Sequence, residues 1–426
     1  MNHFAFRDGS LCCEDVPLAV IARAVGTPTF IYSTATIQRH ARVLKAALAS
    51  LDDPLIAFAV KANPNAAVLA TLAAEGLGAD VVSGGEYRRA RSAGIAGDKI
   101  VFSGVGKTAE EMELALTNGI YQFNVESLPE ADMLSDVATA MGVTAPVGLR
   151  INPDVAAGSH AKISTGSAQT KFGIPLAVAI EAFAQASRLP GLRVQGVAVH
   201  IGSQLTSLDP LRTAFQKLGQ LIGELRAKGH DIRTADLGGG LGIPYDPALP
   251  APPTPDEYGA LVSEITGDWG VRLVFEPGRL IVGNAGVLLT QVIRVKEGVT
   301  HPFVIVDAAM NDLMRPSLYD AWHEIEAIAP TGTTISADIV GPVCETGDIF
   351  ASAREIDEVK AGDLMIIRTA GAYAATMGST YNSRPLAAEV LVNGSDWAVV
   401  RERQDVEVLI AGDVLPAWLR GGAIAG

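Results

Sequence analysis

Cysteine is scarce: three residues in a chain of 426, two of them adjacent as Cys12 and Cys13. That supply builds neither a disulfide framework nor a spaced set of metal ligands, so Cys344 has to be judged by its neighbours. Positive charge is also in deficit. Lys and Arg number 33 against 47 Asp and Glu, a formal net charge of −14, and this opposes non-specific binding to nucleic acid or to an anionic membrane. An anionic small substrate would need a local cluster of arginines. Long apolar runs are missing: the longest are strand-length, and the first thirty residues lack a basic segment followed by an apolar one. Neither a signal peptide nor a membrane span is expected, and the expected location is the cytoplasm. Internal repeats beyond a strand-helix unit and low-complexity tails are absent too.

What is present is ample apolar material. A hydrophobic content of 48% supports a large core, and the length suggests about two or three domains. Between about residues 55 and 283, short β-branched or apolar runs alternate with Ala-rich segments of helical period, the pattern of a parallel sheet with crossover helices. The runs are Ile56–Val60, Ala79–Ser83, Lys99–Ser103, Gln122–Val125, Val147–Asn152, Val194–Ile201, Thr234–Leu237 and Arg272–Glu276. Eight such units predict an α/β fold of the (β/α)8 TIM-barrel type over 33–283, with its site at the C-terminal ends of the strands. Beyond it, runs such as PFVIVDAAM and DLMIIRTAG carry more turn signals. Residues 284–426, with 1–32 adding a strand, are expected to form a mainly antiparallel β-domain, sandwich-like or barrel-like. The Pro-rich stretch 246–257 reads as a surface excursion.

Several residues sit where a barrel does chemistry. Lys61 follows the apolar run IAFAV and precedes Ala-Asn-Pro, which places it at the rim of the first strand. Desolvation there would lower its pKa and make its amine available for an imine; alternatively it snorkels from a strand end. His200 closes the sixth strand, where an imidazole can stack on a flat cofactor or exchange a proton, or simply be a hydrogen-bonded structural residue. Ser203 adds a hydroxyl nearby. Gly238, Gly239 and Gly240 follow the seventh strand, where barrels bind phosphate through bare backbone N–H groups; a tight turn is the plainer reading. Glu276 and Arg279, in EPGR, could pair with a protonated pyridine nitrogen and a carboxylate respectively, or with each other across the barrel mouth. In the β-domain, Arg315 and Tyr319 lie four apart in a loop. Cys344 stands beside Glu345 and Asp348, acids that disfavour a thiolate and suit a proton donor. Tyr373 follows another strand. Each of these three clusters can also be read as surface or packing.

The ordered motifs FAVKAN, HIGSQ, DLGGGLG, EPGR, MRPSLY, CETGD and GAY, with HAKISTG, TKFG and YNSRP between and after them, resemble the diaminopimelate decarboxylases, within the alanine-racemase-like (fold type III) pyridoxal phosphate enzymes. The resemblance runs from FIYS near Tyr32 to GDVLP near Val414. It implies pyridoxal 5′-phosphate as cofactor, Lys61 as its covalent anchor and His200 as the residue stacked on its ring. It implies phosphate and cofactor contacts at Ser203, Gly238, Gly239, Gly240, Gly278, Arg279 and Tyr373, and Glu276 at the ring nitrogen. Substrate carboxylate would fall to Arg279, Arg315 and Tyr319, with Tyr373 nearby, the distal ammonium to Glu345, and α-carbon reprotonation to Cys344. Because CETGD reaches a neighbouring protomer's site in such enzymes, an obligate homodimer with shared sites is implied. Thr346 stands where serine is usual, which keeps the hydroxyl.

The implied reaction is decarboxylation of meso-2,6-diaminopimelate to L-lysine and CO2, the last step of lysine biosynthesis. Arg315 beside Tyr319, with Glu345 for an ammonium, favours a substrate with both charges at its far end over ornithine, arginine or carboxynorspermidine. Glu276 argues against a racemase, which usually sets an arginine at the ring nitrogen. A non-catalytic pyridoxal phosphate-binding paralogue would resemble the barrel alone.

Overall fold

The computed structural model describes residues 2–156, 165–166 and 170–420; most of the HAKISTG run lies outside them. Eight parallel strands form a closed barrel: β1 (Leu55–Ala59), β2 (Gly78–Val81), β3 (Ile100–Phe102), β4 (Gln122–Val125), β5 (Ala145–Asn152), β6 (Leu192–Ala198), β7 (Thr234–Asp236) and β8 (Arg272–Phe275). Closure comes from β8 pairing with β1, Val274 opposite Leu55 and Phe275 opposite Ile56. A strand in such a barrel is covered by helices outside and by side chains of facing strands inside, so it needs apolar residues on both faces. β1, read LIAFA, is buried along its whole length.

Helices follow β1 to β7, several with starts written in the sequence. Thr108 and Glu111 form a reciprocal capping box ahead of Ala109–Thr117, and Thr254 and Glu257 do so ahead of Pro255–Thr266, with Pro255 in the first turn. The excursion at 246–257 therefore ends inside a helix. The ring of helices is completed from the other end of the chain. Thr34–Ala47, capped by Ser33, precedes β1 yet packs against both Ala66–Ala74 and Pro255–Thr266.

Inside the barrel, apolar layers give way to a polar ladder. Thr234 Oγ1 donates to Gln122 Oε1 (2.6 Å), Gln122 Nε2 to Asn124 Oδ1 (2.8 Å) and Asn124 Nδ2 to Asp236 Oδ2 (2.7 Å). Room for Gln122 comes from Gly148 on β5 and Gly196 on β6, where any Cβ would strike its amide.

The mainly antiparallel β-domain is built around the long strand Gly286–Lys296. It pairs with Thr29–Ser33, Leu364–Ile367 and Phe303–Val306, all antiparallel. Thr29–Ser33 also pairs in parallel with Ala388–Asn393, so the chain enters the barrel from a central strand of the second sheet. Phe4–Arg7, Ser10–Cys13 and Val16–Pro17 form a small sheet of their own. Two sequence expectations need correction. β6 stops at Ala198, leaving His200 in the loop beyond it, and Arg315–Tyr319 is a one-turn helix, with Pro316 in its first turn.

Glu389 joins the two sheets. Its Oε2 accepts from Tyr32 Oη (2.8 Å) on the entering strand and from Asn65 Nδ2 (3.1 Å) after β1, while Arg401 lies 2.6 Å from its other oxygen. Removing one partner from a buried charged network leaves the others unpaired, so Glu389→Ala should cost about 3 kcal/mol, read as a lower midpoint in chemical denaturation. An unchanged midpoint would show that the joint contributes nothing.

Candidate active site

The loops at the C-terminal ends of the strands meet around a cavity lined by Lys61, His200, Ser203, Gly238–Leu241, Glu276–Leu280 and Tyr373. Two further hollows adjoin it. One is lined by Lys61, His200 and Glu276 together with Ser103, Asn124, Arg150 and Asp236; the other shares Arg279 and adds Tyr245, Arg315 and Tyr319.

Lys61 sits in the turn Val60–Ala62 that ends β1. Its Nζ donates to Asp80 Oδ2 at 2.5 Å, and Asp80 on β2 is fully buried. This overturns the expected fall in pKa. Burial does pull the amine down, but Asp80, Tyr373 and Glu276 outweigh it and hold the ammonium above its ordinary value. The other oxygen of Asp80, Oδ1, is buried without a hydrogen-bond partner.

Glu276 faces the same cavity. Its Oε1 accepts from Ser103 Oγ (3.0 Å) and more distantly from Asn124 Nδ2 (3.3 Å), the amide that also holds Asp236. Burial, then Asp236 and Asp80, push its carboxyl well above the usual range, and burial raises Asp236 as well. Three acids, Asp80, Asp236 and Glu276, thus share an interior with Lys61, and burial and repulsion oppose the ionisation of Glu276.

Gly238 and Gly240 have positive φ, 66° and 104°, conformations that favour glycine. A Cβ on Gly238 would meet the ring of His200, and one on Gly239 the carbonyl of Glu276. Gly239 N donates to His200 Nδ1 (3.2 Å), so the imidazole is neutral with Nδ1 as acceptor. Across the cavity, a Cβ on Gly278 would lie 3.0 Å from that of Ala62 and 3.3 Å from Tyr373 Oη. Tyr373 has φ 54° and its N–H donates to Ala62 O (2.9 Å), one residue past Lys61. Gly371 permits this, since any Cβ there would run into the carbonyl of Val282.

In the third hollow the buried Arg279 donates from Nη1 to Tyr245 Oη (2.6 Å) and from Nη2 to Ser203 Oγ (3.1 Å). Arg315, also buried, has Nη1 2.8 Å from His323 Nε2. The Nε of each arginine is buried and unpartnered. Cys344 and Glu345 are exposed and outside these hollows. Asp348 does not flank the thiol: it turns inward and accepts from the backbone of Met310 and Val343, both at 2.7 Å.

Asp80, Ser103, Asn124, Tyr245 and His323 were not singled out by the sequence. Asp80 had a signal, an acid within the strand GADV; Tyr245 is hidden among prolines.

These features define a barrel whose strand-end cavity sets a lysine beside an acid and bare glycine turns. Residues 34–283 match the family model of the pyridoxal-dependent decarboxylases, pyridoxal binding domain. The whole chain is 55% identical to the diaminopimelate decarboxylase of Zymomonas mobilis, covering 98% of this chain and 100% of that one, and 48% identical to that of Pseudomonas fluorescens, covering 97% and 99%. The crystal structure of diaminopimelate decarboxylase from M. jannaschii in co-complex with L-lysine superposes with a TM-score of 0.94 at 35% identity, covering 98% and 100%. The chain belongs to the diaminopimelate decarboxylase family.

His200 and His323 give the site an acid sensitivity. Burial first, then Arg150 and Lys61, lower His200 to about 3; burial and Arg315 lower His323 to about 3. Below an ordinary value near 6.5, the unfolded chain takes up protons that the folded rings refuse. Stability therefore falls as pH drops from about 6.5 towards about 3, by up to ~1.4 kcal/mol per pH unit for each ring. His200→Asn should flatten this loss between about pH 6.5 and 4.5 in denaturation midpoints; slopes parallel to wild type would mean that His200 takes up a proton in the fold.

Proposed function

We propose that this chain removes CO2 from meso-2,6-diaminopimelate to give L-lysine, using pyridoxal 5′-phosphate held by Lys61. The observation that carries this reading is the adjacency of a lysine-bearing cavity and a hollow containing two buried arginines, each with an unpartnered Nε. One end of a substrate can react near Lys61 while the other presents a carboxylate to Arg279 and Arg315.

The residues fit the cofactor. Lys61 offers the amine, the bare turns at Gly238–Gly240 and Gly278 leave backbone space for a phosphate beside Ser203, and Glu276 faces the cavity with a proton to share. When bound, pyridoxal phosphate accepts the electron pair left behind as CO2 departs. Before Lys61 Nζ can attack a carbonyl carbon it must lose a proton, and Asp80 Oδ2 at 2.5 Å is placed to take it. Glu276, ionised, would hold a cationic ring nitrogen and offset its charge. His200 presents a neutral ring for stacking, since burial keeps it from protonating. Arg279 and Arg315, with Tyr319, bind the carboxylate that is retained. A strong ion pair on the departing one would stabilise the ground state and oppose its loss.

Residues 33–283 are the cofactor-binding domain, and 1–32 with 284–426 a second domain supplying substrate contacts. The pairing of Thr29–Ser33 with strands after 284 supports that division. Cys344 donates the proton to the α-carbon and Glu345 takes the distal ammonium, both acting in the site of a second copy of the chain. Their exposure, away from the cavity of their own barrel, supports a homodimer with shared sites.

CO2 release should be seen with meso-diaminopimelate and be absent with L-ornithine and L-lysine; release from ornithine alone would sink the substrate assignment. Lys61→Ala should lose both turnover and the visible absorbance of protein-bound cofactor. Mixing inactive Lys61→Ala and Cys344→Ala chains under conditions that exchange subunits should restore about a quarter of wild-type activity, because half the dimers then hold one intact site. No recovery in exchanged dimers would place Cys344 in the site of its own chain.

A further inference from the structure

Arg279 and Arg315 come from different domains, and Tyr245 touches both. Its hydroxyl accepts from Arg279 at 2.6 Å, and its ring lies 4.3 Å from the guanidinium carbon of Arg315 and 5.6 Å from that of Arg279. The tyrosine is fixed from both sides. Gln204, in the loop after β6, grips the backbone of Ile243, donating to its carbonyl (2.6 Å) and accepting from its N–H (3.2 Å). On the opposite side His323 of the β-domain packs edge-on against the phenol ring at 5.3 Å.

Two buried guanidinium groups repel each other and lose hydration. A carboxylate between them would relieve both costs but would also cancel the charge that an anionic ligand needs. A phenol does otherwise. Its face attracts cations and its oxygen accepts a hydrogen bond, while it carries no charge of its own. Ser203 and the ring of Tyr373 against Arg279, and His323 against Arg315, bring no carboxylate either. The pair is thus held without being neutralised, and each Nε remains to be satisfied.

We propose that Tyr245 is a positioning residue for the distal carboxylate of the substrate, its ring and hydroxyl holding Arg279 and Arg315 together as one anion-binding unit. This rests on the diaminopimelate reading above. The proline-rich segment that follows Tyr245 walls the same hollow through Asp246, Leu249 and Pro250, so the excursion is part of substrate recognition.

The test compares holoenzyme of wild type, Tyr245→Phe and Tyr245→Leu by kcat and KM for meso-diaminopimelate, with inhibition by L-lysine, which retains the end of the substrate that is not decarboxylated. Phe keeps the ring and loses the hydroxyl; Leu loses both. KM and the inhibition constant should rise together, about tenfold for Phe and about a hundredfold for Leu, with kcat changing less than about threefold. A tyrosine that merely blocks the hollow would give lower values on removal, and one that only supports the fold would lower kcat at unchanged KM. Either result, or unchanged constants in Tyr245→Phe, overturns the proposal. If Tyr245→Leu does not fold, Tyr245→Phe decides alone. Failure of the underlying reading looks different: wild type itself would release no CO2 from meso-diaminopimelate.

Discussion

The mouth of the barrel is organised by one ion pair, the Lys61 ammonium against the buried Asp80 carboxylate. Everything around it answers to the charge imbalance that this pair leaves. Asp236 and Glu276 stand in the same interior with no cation of their own, and burial, with the nearby carboxylate of Asp80, raises both. Asn124 links the two acids, and Gln122 and Thr234 hold Asn124 in turn. A cationic ring entering this space meets acids able to compensate it without any rearrangement of the scaffold, which is how a preorganised site differs from solvent.

The hollow that holds Arg279 and Arg315 has the opposite polarity. There the buried charges are positive, their side-chain partners are neutral, and the walls come from both domains. Acidic interior and basic annexe meet at Arg279, which lines both cavities. A ligand complementary to both is cationic where it meets the acids and anionic where it meets the arginines.

Much of this was legible in the chain. The β1 to β8 runs could be read from apolar content because a strand buried on both faces leaves little room for polar residues. Lys61, Glu276 and the three glycines lay at strand ends, where barrel geometry alone brings them to one rim. What stayed hidden depends on contacts between distant segments. Asp80 reverses the expected behaviour of Lys61, and nothing local to FAVKAN announces it. Asp348 looked like a companion to the Cys344 thiol, but its carboxylate is consumed by two backbone N–H groups. Tyr245 sat in a segment whose prolines signalled only surface. Prolines mark the lack of regular structure; they carry no information about which side of the chain faces a cavity.

The helix Thr34–Ala47 completes the barrel wall from ahead of β1, and the strand before it lies between Gly286–Lys296 and Ala388–Asn393. During synthesis, therefore, one of the first regular segments to emerge has to wait for a partner about 360 residues downstream. Neither sheet can be finished by the N-terminal half alone. The protein assembles as a loop drawn shut, with Thr29–Ser33 as the clasp, and a ribosome halted before Ala388 would leave that strand with one edge open to any passing chain.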